Sequence, residues 1–140
     1  MACNNEPSMK RIDTMEKQVS KIEKKYRETE TAFNELVEDC IEFDEKLRNE
    51  NNPRPEMQLL RAYLQQYEDE RIPLKEEIDY SKSQLSDLKD DFENGLYDET
   101  QREEYLASEE KAVKTLNAKL DYFLDRFEKQ SEFIKSFEKQ

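Results

Sequence analysis

Histidine and tryptophan are absent from this chain, and glycine occurs once among its 140 residues. Without histidine the sequence lacks the most common general base and metal ligand. A di-metal site built from facing Glu-x-x-His pairs cannot form, and one glycine cannot supply a glycine-rich phosphate loop. We therefore expect no enzymatic activity, no cofactor and no metal.

Long apolar runs are also missing, so no segment reads as a membrane span. The first residues have neither the basic nor the apolar region of a signal peptide. The two cysteines do not form a disulfide framework, because Cys3 lies in the expected N-terminal tail and Cys40 at a helical core position. These features favour a reducing, cytoplasmic setting.

Acidic residues are in large excess, with a formal net charge of −12 and 41% charged residues. The mean hydropathy is −1.19 and the pI is about 4.6. Binding to nucleic acid relies on lysine and arginine, and anionic membrane surfaces attract polybasic segments. The balance therefore disfavours both and leaves a protein as the expected partner.

Apolar residues recur alternately three and four positions apart in three segments, which is the pattern of amphipathic, coiled-coil-like helices. The first stripe is Ile12, Met15, Val19, Ile22, Tyr26, Thr29, Phe33, Leu36, Cys40, Phe43 and Leu47. The second is Met57, Leu60, Leu64, Tyr67, Arg71, Leu74, Ile78, Ser81, Leu85, Leu88 and Phe92. The third is Leu106, Glu109, Val113, Leu116, Leu120, Phe123, Phe127, Gln130, Ile134 and Phe137.

Turn and capping signals separate the stripes. The segment from Asn49 to Pro55 ends the first helix and can start the second. Asn94-Gly95 supplies a left-handed stop. Residues Thr100 to Glu103 have capping-box spacing for the third helix, with Asp98 as a competing N-cap. We place the helices at about 9–50, 55–94 and 99–138, after a flexible tail at residues 1–8.

Short connections make consecutive helices antiparallel neighbours. The sequence therefore predicts an all-α fold: an antiparallel, up-down-up three-helix bundle forming a single domain over residues 9–140. A monomer is favoured because its closure requires only this chain. The alternative is a homodimer, in which long hairpins pair between two chains.

Polar residues and a proline interrupt the stripes. Pro73 predicts a kink in helix 2, because proline removes a helical hydrogen bond. Arg71 should lie near the layer of Phe33 and Phe123, with its head reaching acidic residues at the edge. Arg71, Glu109 and Gln130 are interpreted as register-setting residues.

Several apolar residues lie outside the stripes, namely Leu59, Tyr63, Ile72, Tyr80, Tyr97, Tyr105 and Tyr122. Most should flank the seams, since a three-helix bundle needs a wide apolar face. Those that stay exposed are candidate partner contacts. We place the candidate partner-binding region at the middle of helix 2, around Tyr63, Ile72, Pro73 and Tyr80.

The order of features around helix 2 adds a family resemblance. An Asn/Pro turn is followed by Met57-Gln58-Leu59-Leu60, by Glu68 through Leu74 with its Arg71-Ile72-Pro73-Leu74 break, and by a charged, leucine-containing segment to Phe92. Over about residues 10–125 the chain resembles tubulin-binding cofactor A. The resemblance implies a cytosolic chaperone that binds β-tubulin through helix faces, without nucleotide or catalysis.

A function of a different class stays open: a structural coiled-coil subunit of a larger assembly, such as a spectrin-like, kinetochore or tethering component. In that case the apolar last turns with Phe133, Ile134 and Phe137 would contact another chain. Such a subunit should form dimers or be poorly soluble alone.

Overall fold

The computed structural model describes residues 5–138 and contains three long α-helices, with no strand among these residues. They are α1 (Glu6–Asn49), α2 (Glu56–Glu93) and α3 (Glu99–Glu138). The helices pack against one another, which confirms the predicted all-α three-helix bundle. None of the described helices is both long and apolar enough to cross a membrane.

The start of α1 lies three residues earlier than the sequence predicts. The Met9 amide donates to the Asn5 carbonyl at 2.8 Å, so residues 6–8 are helical rather than part of a tail. Pro7 is compatible with this because a first-turn amide has no helical partner to lose, and Glu6 suits the positive end of the helix dipole. The rest of the expected tail, residues 1–4, lies outside the described residues.

Both loops begin with the same helix-ending motif. Asn51 and Gly95 adopt left-handed backbone conformations, with φ of 52° and 65°. The following amides donate back across each turn, from Asn52 to Leu47 at 2.9 Å and from Leu96 to Asp91 at 3.0 Å. In each turn this hydrogen bond satisfies one of the last carbonyl groups of the helix. The Gly95 stop is confirmed, whereas an asparagine ends α1 upstream of the prolines.

The N-terminus of α3 is capped by Asp98. Its carboxylate accepts from the Gln101 amide at 2.8 Å, and the Gln101 side chain accepts from the Asp98 amide at 3.1 Å. This is a reciprocal capping box. The Thr100–Glu103 box is therefore wrong, and the competing Asp98 assignment is confirmed.

The three predicted stripes form the core. Almost all their apolar members are buried, and Thr29 and Ser81 are buried with them; Tyr26, Leu64 and Phe137 are half-buried. Of the polar interruptions, Glu109 is buried, while Arg71 and Gln130 are half-buried. The heptad phase thus identifies the inward face of each helix correctly.

The chain divides into two compact units, each containing a segment of every helix. Unit 1 comprises the chain up to Lys25 together with Pro73–Lys119, and unit 2 comprises Tyr26–Ile72 together with the chain from Leu120. The single-domain organisation stays a prediction, and so does the kink, although α2 continues as helix through Pro73.

Contacts within each unit give the up-down-up order. In unit 1, Lys82 binds Glu23 and Lys89 lies 3.7 Å from Asp13, so α1 and α2 are antiparallel. In unit 2, Arg71 binds Glu30 and Arg61 binds Asp44, each at 2.6 Å, in the same antiparallel sense. Helices α1 and α3 are parallel, as pairs such as Phe33–Phe127 and Phe43–Phe137 show.

Arg71 lies where the stripes predict, in the layer of Phe33. Its guanidinium lies 5.1 Å from the Phe33 ring centroid and also binds Glu30 and Glu68. Burial, followed by the nearby Glu30 carboxylate, raises the pKa of Tyr26 to about 12. The Tyr26 hydroxyl therefore keeps the proton that it donates to the Arg71 carbonyl at 3.0 Å, two residues before Pro73.

Glu109 is a buried carboxylate with one oxygen that has no hydrogen-bond partner among the described residues. Burial raises its pKa, so Glu109 holds its proton more tightly in the folded state than in the unfolded chain. The raised pKa of Glu109 stabilises the folded state fully at pH values below the unfolded-state pKa. This stabilisation is lost as the pH rises through the folded-state pKa. At neutral pH the charged group therefore destabilises the bundle.

We expect Glu109→Gln to increase the free energy of unfolding at pH 7 by about 1 kcal/mol, because it removes a buried charge that lacks a partner. The gain should shrink toward pH 4. Urea unfolding at both pH values measures it. Glu104→Gln at an exposed position of α3 is the control for the loss of one negative charge. An equal, pH-dependent gain in that control would contradict the expectation.

Candidate functional site

The four predicted contact residues are distributed over the two units. Pro73 and Tyr80 belong to unit 1, whereas Tyr63 and Ile72 belong to unit 2. Tyr80 and Ile72 are among the most exposed large apolar residues, at 65% and 66%. Tyr63 is half-buried, with the Arg126 guanidinium 5.3 Å from its ring centroid.

Pro73 and Tyr80 line the same groove between α2 and α3 of unit 1, which we call the Tyr80 groove. Its volume is about 640 Å³. On α2 it is lined by Pro73, Glu76, Glu77, Tyr80 and Ser81, and on α3 by Ser108, Lys111, Ala112, Thr115, Leu116 and Lys119. The structure thus brings two of the four predicted residues into one site.

Helical spacing and side-chain size explain the groove. Residues 73, 76, 77 and 80 share one face of α2, because side chains three, four and seven positions apart lie above one another. The facing positions of α3 are small, notably Ser108, Ala112 and Thr115. Small side chains leave space between the two backbones, and the Tyr80 ring stands beside it.

The sequence-based search missed the α3 wall of this groove. Ser108, Ala112 and Thr115 follow the same three- and four-residue spacing as the core, one position away from it. Apolar periodicity gives no weight to serine and threonine. A search for small residues that flank the stripe at helical spacing would have found this wall.

Charges of both signs surround the Tyr80 groove. Lys119 lies 3.6 Å from Glu77 across it. Lys111 on α3 and Glu76 on α2 form no ion pair with residues 5–138. The groove thus combines an aromatic ring, small polar side chains and available charges of either sign, a combination that suits a polypeptide segment.

The other apolar residues outside the stripes behave in two ways. Tyr97 packs against Phe92 and Tyr105, and Tyr122 packs against Phe123. These flank the core as the sequence predicts. Leu59 stays 53% exposed, and Ile41 and Leu96, which the apolar pattern does not single out, are exposed as well.

Reactive side chains are scarce in the part of the chain that the structure describes. Cys40 is buried, and burial raises the pKa of its thiol, which disfavours the nucleophilic thiolate. Within residues 5–138, no group of three or more His, Cys, Asp or Glu side chains is placed to hold a metal ion.

Comparisons with known proteins add no relative to this description. No family model, no curated protein and no solved structure matches the chain.

Proposed function

We propose that this chain is a non-catalytic protein-binding module that holds a segment of its partner in the Tyr80 groove. The observation that carries the proposal is the position of Tyr80, whose exposed ring stands beside a groove of about 640 Å³. Tyrosine supplies a large, rigid contact area at little cost in conformational entropy. Aromatic side chains of this kind are enriched among residues that dominate binding energy.

The proposed partner is β-tubulin, and the proposed role is that of a cytoplasmic tubulin-folding cofactor. The support is the resemblance of residues 10–125 to tubulin-binding cofactor A, including the Arg71-Ile72-Pro73-Leu74 break. Pro73, from that break, lines the groove beside Tyr80. The sequence motif and the candidate site therefore overlap at one residue.

We expect Tyr80→Glu to reduce β-tubulin binding about tenfold, because it replaces an aromatic anchor by a charge that must be desolvated. The immobilised chain is incubated with cytosolic extract, and retained β-tubulin is quantified by immunoblotting. Ile41→Glu is the matched control, since Ile41 is equally exposed but does not line the groove. Ile72→Glu tests the other exposed residue of the predicted region.

Retention of β-tubulin by the unaltered chain and by Ile41→Glu, with loss in Tyr80→Glu, supports the proposal. Equal retention of β-tubulin by Tyr80→Glu and Ile41→Glu would show that the Tyr80 groove is not the binding site. Failure of the unaltered chain to retain β-tubulin would show that β-tubulin is not the partner. The alternative, a coiled-coil subunit of an assembly, predicts helical subunits in stoichiometric amounts and a dimer by light scattering. The proposed module should instead have the monomer mass of 16.9 kDa.

A further inference from the structure

Unit 1 contains a second groove, between α1 and α3, with a volume of about 550 Å³. Met15, Ile22 and Val113 form its floor and are almost fully buried. The polar side chains that line it are Thr14, Gln18, Lys21, Lys25, Glu110, Lys114 and Asn117. We call it the basic groove because three of these side chains are lysines.

The positive charge of Lys21 and Lys114 is not neutralised by acidic residues that line the basic groove. Lys21 and Lys114 are exposed and form no ion pair with residues 5–138. Lys25 donates to the Asn117 side chain at 2.6 Å. Glu110 is the single carboxylate among the lining residues that the structure describes, and Arg11 binds it at 2.5 Å.

This local charge is opposite in sign to that of the whole chain, which is −12. Among the residues that line the groove, three are lysines and one, Glu110, is acidic. Screening limits exposed charges to a range of about 8–10 Å at physiological salt. A ligand within the groove therefore experiences mainly its lysines.

We infer that the basic groove binds a short acidic segment of a partner protein. Carboxylates of that segment pair with Lys21 and Lys114, and the amide side chain of Gln18 faces its backbone. A short peptide fits the observations better than nucleic acid or an anionic bilayer. Those ligands extend beyond the groove, where the net negative charge of the chain repels them. The inference adds a second surface to the proposed function and does not depend on the Tyr80 groove.

The test uses the full chain and a fluorescent peptide of alternating glutamate and glycine, followed by fluorescence anisotropy. The Kd should rise about tenfold in the double variant Lys21→Glu/Lys114→Glu, because two exposed ion pairs are replaced by repulsion. Lys21→Gln/Lys114→Gln removes the charges without reversing them and should give a smaller increase. Lys17→Glu/Lys24→Glu is the control, with the same change in net charge at exposed α1 positions outside the groove.

Loss of peptide binding in the groove variants, with binding retained in the control and weakened by salt, supports the inference. Equal loss in the control, or no binding by the unaltered chain, overturns it. Tighter, Lys21-dependent binding of single-stranded DNA or phosphatidylserine vesicles than of the peptide also overturns it. Tyr80→Glu should bind the peptide normally. A failure of β-tubulin binding at the Tyr80 groove can therefore be distinguished from a failure of peptide binding at the basic groove. Far-UV circular dichroism confirms that each variant is folded.

Discussion

Phe127→Ala should lower the free energy of unfolding by about 3–5 kcal/mol, the cost of removing a buried phenylalanine side chain. Phe127 is 2% exposed and lies in unit 2 among aromatic rings from all three helices. Its ring centroid is 5.3 Å from that of Tyr67 and 6.0 Å from those of Phe33 and Phe123. Truncation leaves a cavity that rings fixed on three helices cannot fill.

Urea unfolding followed by far-UV circular dichroism measures this loss, and the thermal midpoint should fall by about 10 °C or more. Ile41→Ala is the control in the same unit. Ile41 is 61% exposed, so its truncation should change the free energy of unfolding by less than about 0.5 kcal/mol. Similar losses in the two variants would contradict the assignment of the aromatic layer to the core.

The fold could be predicted because one periodic signal decides it. Buried residues such as Ile12, Leu60 and Leu120 follow the heptad phase, and the polar Thr29 and Ser81 are buried because their neighbours fix the helix orientation. The helix ends were less predictable, since competing caps differ by small free energies. At the end of α1, Asn51 takes a left-handed conformation that glycine adopts more readily. At the start of α3, Asp98 rather than Thr100 is the N-cap, because it forms reciprocal hydrogen bonds with Gln101.

The candidate site was predictable only in part. Tyr80 and Ile72 lie off the core phase of α2 and are exposed, whereas Tyr63, also off that phase, is half-buried. The Tyr80 groove depends on small residues of α3, and the basic groove depends on lysines from two helices in parallel register. Neither juxtaposition can be read from one helix alone. Total charge also obscured the basic groove, because −12 describes the whole surface rather than its local composition.

The two grooves of unit 1 differ in the charge of their lining. The Tyr80 groove combines an aromatic ring with charges of both signs, whereas the basic groove presents Lys21 and Lys114 without carboxylate partners among the described residues. Both lie in unit 1 and share α3 as a wall. The variants Tyr80→Glu and Lys21→Glu/Lys114→Glu therefore separate what each groove contributes to binding.

Pro73→Ala should make the chain more stable by about 2 kcal/mol, although it alters the candidate binding site. Proline in a helix interior is about 3 kcal/mol less favourable than alanine, and its loss returns up to about 1 kcal/mol of conformational entropy to the unfolded chain. α2 is helical on both sides of Pro73, so alanine can donate the missing amide hydrogen. A proline that costs stability beside Tyr80 is consistent with a functional site that sacrifices stability.

Urea unfolding of Pro73→Ala and Pro55→Ala separates this effect from a general consequence of losing proline. Pro55 precedes α2, and its carbonyl accepts from the Gln58 amide at 3.0 Å, so alanine gains no interior hydrogen bond there. Pro55→Ala should therefore be unchanged or less stable by up to about 1 kcal/mol. If Pro73→Ala is no more stable than the unaltered chain, packing around Pro73 contributes more than the hydrogen bond it removes. If it is more stable but retains less β-tubulin, the proline contributes to the shape of the Tyr80 groove.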